Sequence, residues 1–177
     1  MRKILVGEFI SLDGVVEAPE RWHFPYVDEQ MMASMRGLGA RTDTMLLGRR
    51  TFESFAAGFA NAPSDDPVAS QMNKPLKVVV SATLSDLGWK NSTLLPAGDV
   101  VERVRELKAQ PGADILTTGS TTLVRALLAA GLVDELHLLV LVGTGTRLFA
   151  ARAQRVPLTL VSCENFPTAT CGRPRRD

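Results

Sequence analysis

This 177-residue chain has few cysteines and histidines, and its positive and negative charges nearly balance. Its two cysteines, Cys163 and Cys171, are too few for the disulfide framework of a small secreted protein, and they lack metal-ligand spacing. The two histidines belong to no zinc-binding pattern. Lysine and arginine number 20 against 19 acidic residues, so no basic excess indicates a nucleic-acid partner. The cysteine usage favours a reducing compartment.

Long apolar runs are also absent. No stretch reaches the roughly 18 uninterrupted apolar residues that a membrane helix needs. The apolar run at 4–6 is too short for a signal-peptide core, and Glu8 interrupts it. The hydrophobic content of 45% and the length are those of one globular domain. We therefore expect a cytoplasmic protein with a single domain at 1–177 and an atypical C-terminal tail at 167–177.

Short apolar segments alternate with segments of helical spacing. The first kind, rich in Val, Ile and Leu, predicts buried strands at 3–10, 44–47, 76–81, 114–118 and 135–142. The second kind predicts helices at 27–38, 51–55, 99–110 and 120–130. This alternation predicts an α/β fold, a three-layer sandwich whose mostly parallel sheet carries helices on both faces.

The sequence also lacks the signatures of several common enzyme classes. It contains no P-loop, no G-x-S-x-G nucleophile elbow and no H-E-x-x-H zinc motif. No G-x-G-x-x-G follows the first predicted strand. These absences exclude P-loop nucleotide hydrolysis and the corresponding hydrolase and metalloprotease chemistries.

Glycine, hydroxyl and arginine side chains follow the predicted strands. Ligands of parallel sheets bind beyond the carboxyl ends of the strands, where helix N-termini and guanidinium groups suit anions. Three such ends would together hold an elongated dinucleotide: Gly48, Arg49, Arg50 and Thr51 after the second strand, Ser81 at the third, and Thr117, Thr118, Gly119, Ser120 and Thr121 at the fourth. The alternatives are a solvated turn at Arg49 and Arg50 and a plain N-cap at Ser120 or Thr121.

Two aspartates are candidates for the chemistry itself. Asp13 precedes a glycine after the first strand, where it is either a turn residue or a group that orients a substrate. Asp28 begins the first helix, where it is either a favourable first-turn acid or, if desolvated near Trp22 and Tyr26, a proton donor.

Five short strings in this order resemble the dihydrofolate reductase superfamily. They are ISLDG at 10–14, LLGRRTFE at 46–53, VVVS at 78–81, GSTTL at 119–123 and LVDEL at 132–136. The branch they resemble most is the C-terminal reductase domain of the bifunctional riboflavin biosynthesis protein RibD, together with its stand-alone bacterial relatives. The resemblance spans roughly residues 3 to 149.

The resemblance implies a mixed eight-stranded sheet with NADPH bound along its carboxyl edge. Residues 48–51 would contact cofactor phosphates, Ser81 the adenosine ribose and its 2′-phosphate, and 119–123 the pyrophosphate. Asp13 would lie near nicotinamide and substrate, and Asp28 close to where folate reductases keep their acidic residue. The implied activity is NADPH-dependent reduction of a small heterocycle, a ribosylaminopyrimidine of riboflavin biosynthesis or a dihydrofolate-like pterin, by a homodimer. The alternative is a dimeric nucleotide-binding protein without catalysis.

The sequence departs from these relatives at three places, and one of them is a few residues missing between 138–142 and the GTGTRLF string at 143–149. Ala82 stands where relatives often carry an arginine, which weakens the expected clamp on a 2′-phosphate. The tail at 167–177 has two prolines, a glycine and three arginines where relatives form a final apolar strand. Without that strand, we expect 158–163 to form an exposed edge strand that another subunit covers.

Overall fold

A computed structural model describes residues 1–96, 98–141, 145–149, 156–164 and 166 of the chain. Its strands are β1 Ile4–Ser11, β2 Thr42–Gly48, β3 Leu76–Ser81, β4 Ser92–Pro96, β5 Asp114–Thr117 and β6 Glu135–Leu141. Its helices are α1 Glu29–Ala40, α2 Arg49–Phe59, α3 Pro67–Asn73, α4 Val100–Ala109 and α5 Thr121–Ala129. None of the described helices is long and apolar enough to cross a membrane. The tail at 167–177 lies outside the described residues.

The described strands form one parallel sheet in the order β4-β3-β2-β5-β1-β6. This confirms the predicted α/β class and the parallel sheet. The described part of the sheet has six strands, whereas the family resemblance implied eight of mixed direction. The sequence analysis missed β4, because Ser92, Thr93 and Pro96 dilute its apolar character.

The expected edge strand at 158–163 is wrong. Residues 156–164 have no regular secondary structure, and Leu158, Leu160 and Val161 are exposed. A strand needs hydrogen bonds to a neighbouring strand, and no neighbour pairs with this segment among the described residues. Apolar residues alone therefore did not suffice to make it a strand.

Helices cover both faces of the sheet, because successive side chains of β2 pack against helices on opposite faces. Leu46 packs in one cluster with Val104 of α4 and Leu127 of α5. Its neighbour Leu47 points to the opposite face and packs with Phe52 of α2. Phe55, Ala56 and Phe59 continue the apolar stripe of α2, which is why this helix runs beyond the predicted end at residue 55. The helix α3 lies outside every segment for which the sequence predicted a helix.

The point that matters for function lies between β2 and β5. These two strands are neighbours, yet α2 after β2 and α5 after β5 pack on opposite faces of the sheet. Such a switch leaves a crevice at the carboxyl edge between the two strands, which is where ligands of open parallel sheets bind.

Candidate functional site

Two predicted strand ends come into direct contact across this crevice. The backbone N–H of Gly48 donates to Ser120 Oγ at 2.9 Å. The backbone N–H of Ser120 donates to Thr51 Oγ1, also at 2.9 Å, and the two hydroxyl oxygens lie 3.0 Å apart. The segments 48–51 and 119–123, which are about 70 residues apart in sequence, therefore line one crevice.

The helices that begin at this crevice differ from the others at their N-termini. The helices α1, α3 and α4 begin with Asp28, Asp66 and Asp99, whose carboxylates accept hydrogen bonds from first-turn amides. By contrast, α2 and α5 have no side-chain cap and no acidic residue in the first turn. A helix N-terminus carries about half a positive charge, so two such termini side by side favour an anion.

Gly119 shapes the turn that leads into α5. Its φ of +61° is in the left-handed region, which glycine adopts without steric cost. A Cβ added at Gly119 would lie 3.0 Å from both Cγ2 and Oγ1 of Thr51. The turn therefore brings its backbone against α2 as closely as a glycine allows, and a larger residue would push the two strand ends apart.

Two guanidinium groups stand at the start of α2. Arg49 and Arg50 are exposed, and Arg49 makes a 3.6 Å ion pair with Glu53 one helical turn later. Exposed pairs of this kind contribute at most about 1 kcal/mol, so Glu53 holds the Arg49 guanidinium only weakly. Hydrogen bonds from Thr146 are the chief cause of a lowered pKa of Glu17, and the positive charge of Arg50 adds a smaller contribution.

Ser81 lies at the same edge, at the end of β3. The preceding Val80 pairs with Gly48 across the two strands. Ser81 is buried, and its Oγ accepts the backbone N–H groups of Thr83 and Leu84 at 3.1 and 3.0 Å. Its hydroxyl group thus shapes the turn after β3.

Asp13 is held as an ionised carboxylate at the end of β1. Ser11 Oγ donates to Asp13 Oδ1 at 2.5 Å, and Arg147 forms an ion pair with Oδ2 at 3.0 Å. These two contacts, the serine hydrogen bond first, lower the pKa of Asp13. The Arg147 guanidinium also donates from Nε to the backbone carbonyl of Asp13 at 3.0 Å. The arrangement suits a group that orients a ligand rather than one that releases a proton.

Asp28 is the N-cap of α1. It is partly buried, and its Oδ1 accepts the backbone N–H of Met31 at 2.8 Å. In the segment that precedes Asp28 in sequence, the His23 ring lies 4.4 Å from that of Phe9 on β1 and 4.2 Å from that of Phe24. Sequence reasoning did not single out these three rings, because their contact depends on how the segment before α1 folds back onto β1.

Glu8 is a further residue that the sequence analysis did not identify as functional. It lies in the middle of β1 with only 3% of its surface exposed. Its Oε2 accepts the backbone N–H of Gly119 at 3.1 Å, while Oε1 has no hydrogen-bond partner among the described residues. Burial raises the pKa of Glu8 to about 8, against a smaller opposing effect of the Gly119 amide. In the described part of the chain, no group of three acidic, histidine or cysteine side chains could hold a metal ion.

The stability of the fold should fall as Glu8 loses its proton. Between its ordinary pKa of 4.5 and about 8, the native state binds the Glu8 proton more tightly than the unfolded state does. Stability from this group is therefore complete below pH 4.5 and is lost as pH rises to 8, by up to about 5 kcal/mol. Glu8→Gln should remove this loss, so its melting temperature should exceed that of the wild type at pH 8 but not at pH 5. An equal difference between the two proteins at both pH values would contradict the assignment.

Comparison with known proteins identifies the family and the fold of the chain. Residues 2–171 match the RibD C-terminal domain family, and the chain belongs to that family. It is a family of reductase domains that typically bind a nicotinamide cofactor. The resemblance stated from the sequence is thereby confirmed at the level of the family.

Two individual proteins illustrate the relationship. The "Uncharacterized protein YyaP" of Bacillus subtilis (strain 168) is 28% identical over 176 residues, covering 93% of this chain and 89% of its own. The crystal structure of a "Putative riboflavin biosynthesis protein" from Shewanella sp. PV-4 superimposes with a TM-score of 0.66 at 19% identity. That match covers 92% of this chain and 90% of the other, and it shows the shared fold.

Proposed function

We propose that the chain is an NADPH-dependent reductase of a small heterocyclic substrate. The observation that carries the proposal is the pairing of two helix N-termini, without caps or first-turn acids, at the crevice between β2 and β5. A pyrophosphate carries two negative charges over the short distance that two neighbouring strand ends span. Membership of a family of reductase domains makes a nicotinamide dinucleotide the expected ligand.

The residues at the crevice fit the phosphates of such a cofactor. The amides that begin α5 at Thr121 and Thr122 and those of α2 at Arg49 and Arg50 supply donors without side-chain competition. The two guanidinium groups supply positive charge, and Gly119 permits close approach of the backbone. Leu123 anchors the start of α5 in the core. Ser81 would lie beside the adenosine ribose, because it stands on β3, on the far side of β2 from β5.

The residues around the end of β1 would hold the substrate. When bound, the cofactor supplies a hydride, and the task of the chain is to fix the two reactants in position and to exclude water. The Asp13–Arg147 pair offers fixed hydrogen-bonding groups to a polar heterocycle. The rings of Phe9, His23 and Phe24 offer apolar surfaces on which a flat heterocycle stacks. Asp28 is the carboxyl group that we assign to proton supply, directly or through a water molecule.

We also propose that the protein is a homodimer. The edge of the described sheet at β6 has no neighbouring strand, and Leu138 on that strand is 36% exposed. Unpaired strand edges associate readily with a second chain. Light scattering of the purified protein should give twice the mass of the chain, and the mass of a single chain at all concentrations would refute this part of the proposal.

Turnover tests the proposed activity. NADPH mixed with the protein and either a deaminated ribosylaminopyrimidine or dihydrofolate should lose the absorbance of the reduced nicotinamide. NADPH binding without oxidation by any heterocycle would instead indicate a nucleotide-binding protein without catalysis. Absence of binding would refute both possibilities.

Substitutions at Asp28 separate proton supply from helix capping. Asp28→Asn keeps an N-cap oxygen, so the unfolding free energy should change little, whereas Asp28→Ala should cost about 1 kcal/mol. If the carboxyl group supplies the proton, both variants should lose turnover by about 100-fold or more. Wild-type turnover by Asp28→Asn, with lower stability of Asp28→Ala alone, would show that Asp28 acts only as a cap.

A further inference from the structure

Glu8 lies directly behind the turn that the proposed function assigns to phosphate binding. Val6 and Ile10, which share its face of β1, pack against Val124 and Leu128 of α5. Glu8 thus faces the side of the sheet that α5 covers, and its Oε2 accepts the Gly119 N–H across 111 residues of sequence. This hydrogen bond joins β1 to the turn between β5 and α5.

Few of the described groups around Glu8 could stabilise a negative charge on its carboxyl group. Oε1 is buried without a described partner, and so is Oγ1 of Thr117 on the neighbouring strand β5. Thr117 pairs with Val6, so its side chain lies on the same face as Glu8. An ionised carboxylate that receives one amide hydrogen bond in a buried site is costly, whereas a neutral carboxylic acid is tolerated.

Charged side chains on the described elements around Glu8 do not offset a negative charge on its carboxyl group. Only burial and the Gly119 amide affect its pKa appreciably. Five of these side chains are engaged with other groups. His137 pairs with Gly7 across the two strands, so it faces the side of the sheet opposite to Glu8. Asp114 on β5 pairs with Arg41, and Glu135 and His137 on β6 pair with each other. Arg125 on α5 donates to the backbone carbonyls of Leu148 and Arg147, and Arg147 donates to the carbonyl and the carboxylate of Asp13.

We propose that Glu8 is a positioning residue of the phosphate site: it holds the Gly119 turn in place as a neutral acid, and its ionisation weakens the binding of an anionic ligand. This inference rests on the proposed function, because it assumes that phosphate binds at the turn. The neutral acid accepts the Gly119 N–H through Oε2 and places no charge behind the site. The ionised form places a negative charge behind a site that binds negative charge, and the two repel.

Proton linkage gives this proposal a measurable consequence. If ionised Glu8 weakens binding, then binding must in turn favour the protonated form by the same factor. A phosphate ligand therefore takes up protons when it binds near the pKa of Glu8, about 8. A residue that only stabilised the turn would change affinity without any proton uptake.

ADP-ribose is the probe, because the charge of its pyrophosphate does not change between pH 7 and 9. The wild-type protein should bind it about fivefold more weakly at pH 9 than at pH 7, as expected if the ligand raises the pKa of Glu8 from about 8 by one unit. Glu8→Gln, which keeps the acceptor for the Gly119 amide but cannot ionise, should bind equally at both pH values. Calorimetry of the wild type at pH 8 in two buffers of different ionisation enthalpy should show proton uptake.

Lys77 titrates in the same range but does not confuse the comparison. Burial lowers the pKa of Lys77 to about 8, and its Nζ lies over the Trp89 ring and donates to the carbonyl of Asn73. It is present in both proteins, so its effect cancels in the difference between the wild type and Glu8→Gln.

The possible outcomes separate the two proposals. The same pH dependence in both proteins, or no proton uptake by the wild type, would overturn the role of Glu8 and leave nucleotide binding intact. If Glu8→Gln does not fold, proton uptake is measured in Lys77→Gln instead: uptake that persists in this variant supports the role of Glu8, and its loss overturns that role. If ADP-ribose binds at neither pH, the proposed function fails and the role of Glu8 fails with it.

Discussion

Gly119→Ala should lower the affinity for NADPH and ADP-ribose by about 100-fold or more. A Cβ at this position would lie 3.0 Å from two atoms of Thr51, so the turn must move away from α2. Loss of two amide hydrogen bonds to a charged phosphate costs about 3 kcal/mol or more. The left-handed backbone at φ +61° adds a folding cost of about 1 to 2 kcal/mol. Calorimetric titration and thermal unfolding measure the two effects.

Gly131→Ala is the matched control for this substitution. Gly131 follows α5 at φ +66°, so alanine meets the same backbone strain there. A Cβ at Gly131 would have nothing within 4 Å, and the position lies at the other end of the helix. This variant should lose a similar amount of stability and keep its nucleotide affinity. Equal loss of affinity in both variants would show that Gly119 matters for folding alone.

The double variant Arg49→Ala/Arg50→Ala should bind NADPH about 100-fold more weakly. A charge-assisted hydrogen bond to phosphate contributes about 1.5 to 3 kcal/mol, and the variant removes two guanidinium groups. Both side chains are exposed, so the stability of the free protein should change by less than about 0.5 kcal/mol. The affinity of the wild type should also fall more steeply with salt than that of the variant, because screening weakens only charges that are present.

Arg103→Ala/Arg105→Ala makes the same change in net charge on α4, beside the β4 edge of the sheet. It should keep wild-type affinity and salt dependence. If both double variants lose affinity equally, the effect is that of net charge and the phosphate site lies elsewhere.

The convergence of the strand ends could be predicted from the sequence. Buried parallel strands are apolar throughout, so the point where Leu47 gives way to Gly48 and Arg49 marks the end of a strand. Helical spacing after Ser120 marks the start of the next helix in the same way. Because parallel strands end at one edge, residues that follow different strands meet there without any knowledge of contacts. The Gly48–Ser120 and Thr51–Ser120 hydrogen bonds agree with that expectation.

Glu8 could not be predicted in this way. In the sequence it is a charged residue that interrupts an apolar run, and nothing local distinguishes a buried acid from an exposed one. Its burial depends on α5, and among the described residues its one hydrogen bond comes from Gly119, 111 residues further along the chain. The contacts between the rings of Phe9, His23 and Phe24 depend on tertiary packing in the same way. Sequence patterns therefore located the sheet edge that we propose as the phosphate site, but not the buried acid and the aromatic rings near it.

Ligand-induced stabilisation tests the central claim most directly. The unfolding temperature is measured with NADPH, NADP+, NADH and ADP-ribose, since a ligand that binds only the folded state must raise it. At a 100-fold excess over Kd, NADPH should add about 2.7 kcal/mol, which corresponds to about 5 to 10 °C for a domain of this size. The Arg49→Ala/Arg50→Ala variant should lose this rise. A cooperative unfolding transition that no nucleotide shifts would contradict the assignment of the β2–β5 crevice as a cofactor site.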